Sequence, residues 1–403
     1  MNITIFGKEI IDESTIIQLQ NCMVDNAIGV ITADAHKGYS MPVGGCIAYK
    51  DMISPSGVGY DIACGNMAVQ TNVLASDINA SHVMNEIARL ISFGVGRPNN
   101  EPVDHEVLDK ISQSNFAPQR KMAQLAKSQL GTVGSGNHFV DIFKDENGLI
   151  WIGVHFGSRG FGHKTASGFM SMAQGLDFDE RAKGESMDAP PTLFATNTEL
   201  GQAYIDAMNL CGEYAYAGRE TVINKVLGIL GNPEVTFSVH NHHNFAWKEN
   251  HFGEDYWVVR KGCTPAFPGQ RGFIGANMRD ISVIVEGVDT EQSRNGLYST
   301  VHGAGRILSR TQAAGKKKWV KGADGKKKPV TVGKGVIDFD QVRHELTERN
   351  VELRGAGADE APGCYKNLSD VLAYQGDTIK ILHKLTPIGV AMAGGNEFDP
   401  YKD

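Results

Sequence analysis

An α+β protein is predicted, with mixed β-sheets at the centre and helices outside. Three observations carry that expectation. Short β-type runs recur beside glycines, at 29–32, 44–49, 149–154, 256–262 and 283–285. Helical spacing occupies the intervals 13–24, 74–130, 165–230 and 340–350, with a further helix from 369. The composition, 41% hydrophobic and 21% charged, supplies ample apolar surface for a core. At 403 residues the chain exceeds the usual size of one core, so two domains or one large domain with insertions both fit.

Other classes are disfavoured. No run of about 18 apolar residues is present, so no membrane span is expected. The first eight residues, Met1 to Lys8, lack an apolar signal region, which argues for a cytoplasmic protein. Six cysteines, at 22, 46, 64, 211, 263 and 364, show no framework spacing and are expected to be reduced thiols. The net charge of -7 makes no global case for a nucleic-acid partner. More telling are the histidines, several of which fall in glycine-rich or polar turns, where side chains converge on sites.

In chain order, the first helix is expected to be capped by Asp12 or Ser14. Asp34, His36 and Lys37 follow at the end of a strand, placed for site work or in a solvated loop. Next comes the stretch around which the chain is organised, 55–66, where Asp61 and Cys64 stand three apart between glycines. A carboxylate and a thiolate at that spacing can reach one metal ion from a single turn. The thiolate can also bridge two ions, and its softness suits a transition metal rather than magnesium or calcium. An inert buried cysteine beside a turn aspartate is the alternative. Asp77 or Ser81 is then expected to cap a helix carrying Val83, Met84, Ile87 and Ile91 on one face.

The run 131–141 is a glycine-rich turn whose amides can approach an anion, followed by Asn137 and His138 at the start of a strand. Asn137 suits a phosphate or base and His138 a metal. A second strand ends at His155, and Arg159, four residues on, suits a phosphate. The segment 238–244 holds three histidines in four residues. As a strand it would turn His240 and His242 to one side and His243 to the other, so one or two ligands are expected there.

Small residues follow His302, so its imidazole can be approached as a nucleophile must be; an ordinary turn histidine is the other reading. The run after Gly305 is predicted helical, with an N-terminus favouring phosphate. From 310 to 334 the chain holds nine basic residues against one acid, Asp324, a net +8 that leaves -15 for the remainder. This window reads as an exposed β-hairpin. With Trp319 it could contact phosphates and an unstacked base, or be a solvated surface hairpin. Lys366 closes the series.

Taken in order, Asp61-x-x-Cys64, Gly-x-Gly-Asn137-His138-Phe139, His155-x-Gly-Ser-Arg-Gly, His242-His243-Asn244, His302-Gly-Ala-Gly-Arg and Tyr365-Lys366 closely resemble the RtcB-type RNA ligases, over about Asp34 to Leu368. The resemblance implies one large α+β domain over 1–403, with the basic hairpin an insertion at about 310–335. It implies two Mn²⁺ ions and GTP as cofactors. A histidine takes up GMP, and an RNA 3′-phosphate or 2′,3′-cyclic phosphate is then joined to a 5′-hydroxyl. Carried onto this sequence, Cys64 matches the bridging thiolate, Asp61 and His138 complete one metal site, and His155 and His243 lie on the other. His302 matches the guanylylated histidine. Asn137, Asp141, Asn277, Ser282, Gly303, Ala304, Gly305 and Lys366 match nucleotide-contacting positions, and Arg159 and Arg306 match phosphate contacts. The implied partners are tRNA halves or cleaved RNA ends, without a membrane, and an accessory activating protein is compatible. The ligand set would bind zinc as well, so the choice of manganese comes from the resemblance.

Two departures fall near the implied base pocket. The family carries Glu where this chain has Asp141, one methylene shorter, and its Pro-Gly-Ser-Met-Gly stretch reads Gly275-Ala276-Asn277-Met278-Arg279 here. The competing expectations are a dinuclear metal phosphoesterase acting on RNA ends without nucleotide transfer, and a non-catalytic RNA-binding factor using the hairpin.

Overall fold

Two mixed sheets organise the molecule, as expected for the α+β class. The computed structural model describes residues 2–181, 187–321 and 327–395. The smaller sheet runs Asn2–Ile5, Ile28–His36, Val43–Tyr49, Glu254–Lys261, Asn244–His251. Its first pair is parallel and the others antiparallel. Ile28–His36 is buried along almost its whole length, which accounts for its near-continuous run of apolar and small residues.

The larger sheet runs Arg271–Ile274, Ser282–Gly287, Ile379–Gly394, Phe139–Lys144, Leu149–Phe156, Gly65–Leu74, Val235–His242, and Glu352–Ala356 adds in parallel to Ile379–Gly394. Its two edge strands curl toward each other and meet where Asn241 Nδ2 donates to Arg271 O at 3.0 Å. A 31-residue helix, Glu199–Ile229, starts at a Thr198 cap and packs Val222, Ile223 and Val226 in one cluster with Val154 and Phe156. Among the described residues no helix is long and apolar enough to cross a membrane.

Strand register explains where a site can form. Gly65 lies opposite Phe156 on one side and His242 on the other, while Phe139 lies opposite His155. Cys64, His138, His155 and His243 therefore come to one end of the same sheet.

Several local expectations need correction. The run after Gly305 is not helical; the helix there is only Arg310–Ala314, closed by a Ser309–Gln312 capping box. Gly305 has φ +76°, a Cβ on it would collide with Asp34 O, and Arg306 pairs in extended form with Tyr365. The chain is thus held extended where the local pattern alone predicts a helix. The helix Ala80–Leu90 is capped by Asn79, whose side chain accepts from His82 N, rather than by Asp77 or Ser81. Lys317–Lys321 and Lys327–Thr331 pair antiparallel. The turn 322–326 and the Trp319 side chain lie outside what is described.

Candidate active site

The Asp61–Cys64 turn is built for close convergence. A short helix, Pro55–Val58, leads in, capped by Ser54 Oγ. Ala63 then takes φ +60°, a left-handed conformation that non-glycine residues seldom adopt, and Cys64 N donates to Asp61 O at 3.0 Å. The turn is docked on the end of the neighbouring strand: Ala63 N donates to Asn244 O at 2.7 Å, and His243 N to Cys64 O at 2.8 Å. Gly157 must lack a side chain, since a Cβ there would run into the Asp61 carboxylate.

Two clusters result, and they share Cys64. Ligand atoms of Cys64, His155 and His243 lie within 4.8 Å of one another, as do those of Asp61, Cys64 and His138. Cys64 Sγ is 3.2 Å from His155 Nε2 and 3.7 Å from His138 Nε2, which is itself 3.0 Å from Asp61 Oδ2. His138 Nδ1 lies 2.9 Å from Val133 O. A carbonyl can only accept, so Nδ1 donates to it, and Nε2 is the ring nitrogen that faces Asp61 and Cys64. Arg159 Nη1 approaches the same Nδ1 at 3.2 Å.

The electrostatics match a metal centre. Burial, then the charges of neighbouring histidines, holds His155 and His243 well below the ordinary imidazole range, so both are neutral with lone pairs available. His243 Nδ1 is buried without a hydrogen-bond partner. Burial opposes ionisation of Asp61, but the hydrogen bond and charge of His138 and the charge of Arg159 outweigh it, and the carboxyl stays below its usual range. Burial, reinforced by Asp61, pushes the Cys64 thiol well up. One carboxylate, three imidazoles and a shared sulfur fit two transition-metal ions.

Arg219, from the long helix, underpins the site, and no local pattern marked it. It is fully buried and donates to Ala63 O at 3.0 Å and Phe156 O at 2.7 Å, one next to Cys64 and the other next to His155. It also meets His240 Nε2 and His242 Nδ1 at 2.9 Å each. The strand thus turns His240 and His242 to Arg219, and His243, just past its end, to the cluster.

His302 stands beside that cluster, its ring centroid 4.8 Å from that of His243. Asp34 Oδ2 accepts from His302 Nδ1 at 2.8 Å, from His302 N at 3.0 Å and from Gly303 N at 3.2 Å. Asp34 stood out as an acid ending a strand, but nothing local pairs it with a histidine 268 residues away.

These residues open on a cavity of about 640 Å³ lined by both clusters, Asn137, Asp141, Asn277 and the run His302–Arg306. Ser282 and Lys366 act from behind it: Ser282 Oγ accepts from Ala276 N, and Lys366 Nζ donates to Ala33 O and Ala35 O. Asn277 forms a turn, accepting from Arg279 N and Asp280 N. Arg279 is drawn to Asp280 and Glu345. Arg306 lies over the Tyr365 ring and donates to Tyr365 OH at 2.9 Å and Asp359 O at 2.8 Å.

The profile of the tRNA-splicing ligase RtcB family matches residues 18–119 and 113–393. The RNA-splicing ligase RtcB of Escherichia coli (strain K12) is 29% identical over 391 residues, covering 89% of this chain and 88% of the relative. The tRNA-splicing ligase RtcB of Pyrobaculum aerophilum is 28% identical over 446 residues, covering 90% and 87%. That of Thermococcus kodakarensis is 26% identical over 449 residues, covering 90% and 87%. The clusters at the sheet end, the Asp34–His302 pair and this end-to-end similarity agree: the chain belongs to the RtcB tRNA-splicing ligase family.

Proposed function

We propose that the protein is an RNA ligase that joins RNA 3′-phosphate or 2′,3′-cyclic phosphate ends to 5′-hydroxyl ends, with GTP, through a guanylylated His302. The observation that carries this reading is an imidazole fixed by a buried carboxylate at the mouth of two metal-ligand clusters. Asp34 is the acceptor for His302 Nδ1–H, which leaves the Nε2 lone pair free for attack.

In the proposed reaction, Nε2 attacks the α-phosphorus of GTP. A P–N bond forms as the bond to pyrophosphate breaks. The imidazole gains positive charge, and Asp34 steadies it as it holds the Nδ1 proton. An oxygen of the RNA 3′-phosphate then takes the guanylate from His302, restoring the imidazole. The 5′-hydroxyl attacks the activated RNA phosphate, loses its proton, and GMP departs. A cyclic phosphate is first opened by water. Two Mn²⁺ ions, held by Asp61, Cys64, His138, His155 and His243, would supply neutralisation of phosphate charge when bound. Asn137 and the turn Gly303, Ala304 and Gly305 are assigned to the nucleotide phosphates, with Gly303 N held by Asp34 and the other two amides left to face them, Asp141, Asn277, Ser282 and Lys366 to the nucleoside or its supporting wall, and Arg159 and Arg306 to RNA phosphates.

The test is incubation with α-³²P-GTP and Mn²⁺ without RNA, followed by a denaturing gel. Acid-labile, alkali-stable label that disappears in His302→Ala supports the reading. Label from ATP instead would keep the ligase class and change its nucleotide. No label from either, with metals bound, would favour a phosphoesterase.

A further inference from the structure

The wall of the cavity continues directly into the basic ribbon. Gln312 lines the cavity, and its carbonyl accepts from Val336 N at 3.0 Å; Ala313 O accepts from Ile337 N at 3.2 Å. The chain leaving the ribbon is therefore bonded to the helix from which it departs. Between those points Lys317–Lys321 pairs only with Lys327–Thr331 among the described strands. A two-stranded ribbon that pairs with no further strand among the described residues gains little stability from its own contacts. Its place at a cavity rim is better explained by what it touches than by what it supports.

Charge and surface character indicate what that is. Elsewhere on the surface Lys50, Lys110, Lys127 and Lys380 are each paired with a carboxylate, and exposed Lys8, Lys144, Lys164 and Lys384, without an ion pair among the described residues, are scattered; the ribbon differs in the density of its cations. Lys316, Lys318 and Lys334 are exposed and have no ion pair among the described residues. The window 310–334 carries +8 on a chain whose remainder carries -15. Exposed valines interleave with these lysines: Val320 is 46%, Val330 48% and Val332 56% exposed, and Lys318 stands opposite Val330. An RNA duplex offers such a surface its phosphates and 2′-hydroxyls, with the base faces stacked out of reach. A single strand also offers unstacked bases, which suit apolar side chains between cations.

We propose that the ribbon, with Lys316 and Lys334 at its base, is a docking arm for single-stranded RNA behind the end held in the cavity. The proposal rests on the ligase reading for its substrate, but its test does not depend on catalysis.

The experiment uses the full chain with Mn²⁺ and a fluorescein-labelled single-stranded RNA bearing a 3′-phosphate, and reads anisotropy across a salt series. With about 0.7 counterions released per contacted phosphate, K316Q/K318Q/K334Q is expected to lower the slope of log affinity against log salt by about 2. Affinity at low salt should fall about tenfold. K50Q/K110Q/K380Q removes the same charge elsewhere and should leave the slope in place. Melting curves check that both variants are folded. An unchanged slope in the ribbon variant, or an equal loss in the control, overturns the proposal. An equal loss of affinity for a blunt duplex overturns the single-strand assignment. Wild-type labelling by α-³²P-GTP is run alongside: its failure would remove the ligase reading while the anisotropy still reports on the ribbon.

Discussion

Asp34 Oδ2 lies 2.8 Å from His302 Nδ1, while Thr32 Oγ1 donates to Asp34 Oδ1 at 2.6 Å. Burial opposes ionisation of this carboxyl, but the hydrogen bonds and charge of His302, with the Thr32 hydroxyl, outweigh it and lower its pKa. Asp34 is thus a fixed negative charge on one face of the imidazole. Asp34→Asn keeps the shape and removes the charge that, in the proposed reaction, steadies the imidazole. Label incorporation from GTP should fall by roughly 10²–10⁴-fold, with metal content unchanged. Near-normal labelling would mean that His302 reacts without this partner. The sign for stability follows from the lowered pKa: the contribution of Asp34 is present above about pH 4 and is lost as the pH falls through the lower folded value.

Cys64 belongs to both ligand clusters, whereas His243 belongs to one. Cys64→Ala should therefore strip metal from both positions, and His243→Ala mainly from one, as read by metal analysis after gel filtration. Since the buried thiol is protonated at neutral pH, metal binding must release its proton. Apparent affinity should rise about tenfold per pH unit while the thiol remains protonated. Titration calorimetry in two buffers of different ionisation heat measures that proton directly. Identical heats in both buffers would remove Cys64 from the ligand set.

Much of this site was legible because each ligand sits in a turn or at a strand end with a chemical signature of its own. Asp61 and Cys64 share one turn, and the period of a strand separates His243 from His240 and His242. What was hidden depends on distance along the chain. Arg219 reads as one more polar residue in a long helix, and its role exists only because two strand ends stop beneath it. The 16-residue strand Ile379–Gly394 was not anticipated, since Pro387 interrupts its pattern; the structure absorbs that proline at a register shift against Phe139–Lys144. The run after Gly305 misled for the opposite reason: local spacing favoured a helix, and the close approach of Asp34 forbade it.

Arg219 supplies a prediction that separates support from chemistry. Burial pushes its pKa down only to about 10, so it remains a cation at neutral pH. Arg219→Met would leave Ala63 O and Phe156 O buried without this donor, at about 1–3 kcal/mol for each unsatisfied group. Denaturant unfolding should show a loss of roughly 3 kcal/mol, and metal affinity should fall because both ligand-bearing segments lose their common anchor. Arg219→Lys keeps the charge without the fork and should recover little of either. Full recovery by lysine would show that the charge, not the geometry, is what the site requires.

In the proposed reading Asp141 bears on nucleotide choice. Its carboxyl lines the cavity with Met278, Val390 and Met392, and Oδ1 is buried without a partner. Burial pushes its pKa well up, and only a backbone bond from Ala391 opposes this. An acid with a raised folded pKa destabilises the fold as pH climbs past its unfolded value, near 4. Asp141→Asn should therefore melt higher than the wild type, with the gain growing from about pH 4 toward neutrality. Function should move the other way. The two donors on the guanine edge would satisfy a carboxylate here, so Asp141→Asn and Asp141→Ala should raise the KM for GTP by about 10–100-fold, with a smaller change in the maximal labelling rate. Asp141→Glu adds one methylene of reach and tests whether separation from the base limits selectivity; labelling with GTP and ATP in parallel reads the ratio. If all three variants label from GTP with the wild-type KM, the buried oxygen does not meet the base, and its raised pKa is a cost of the fold alone.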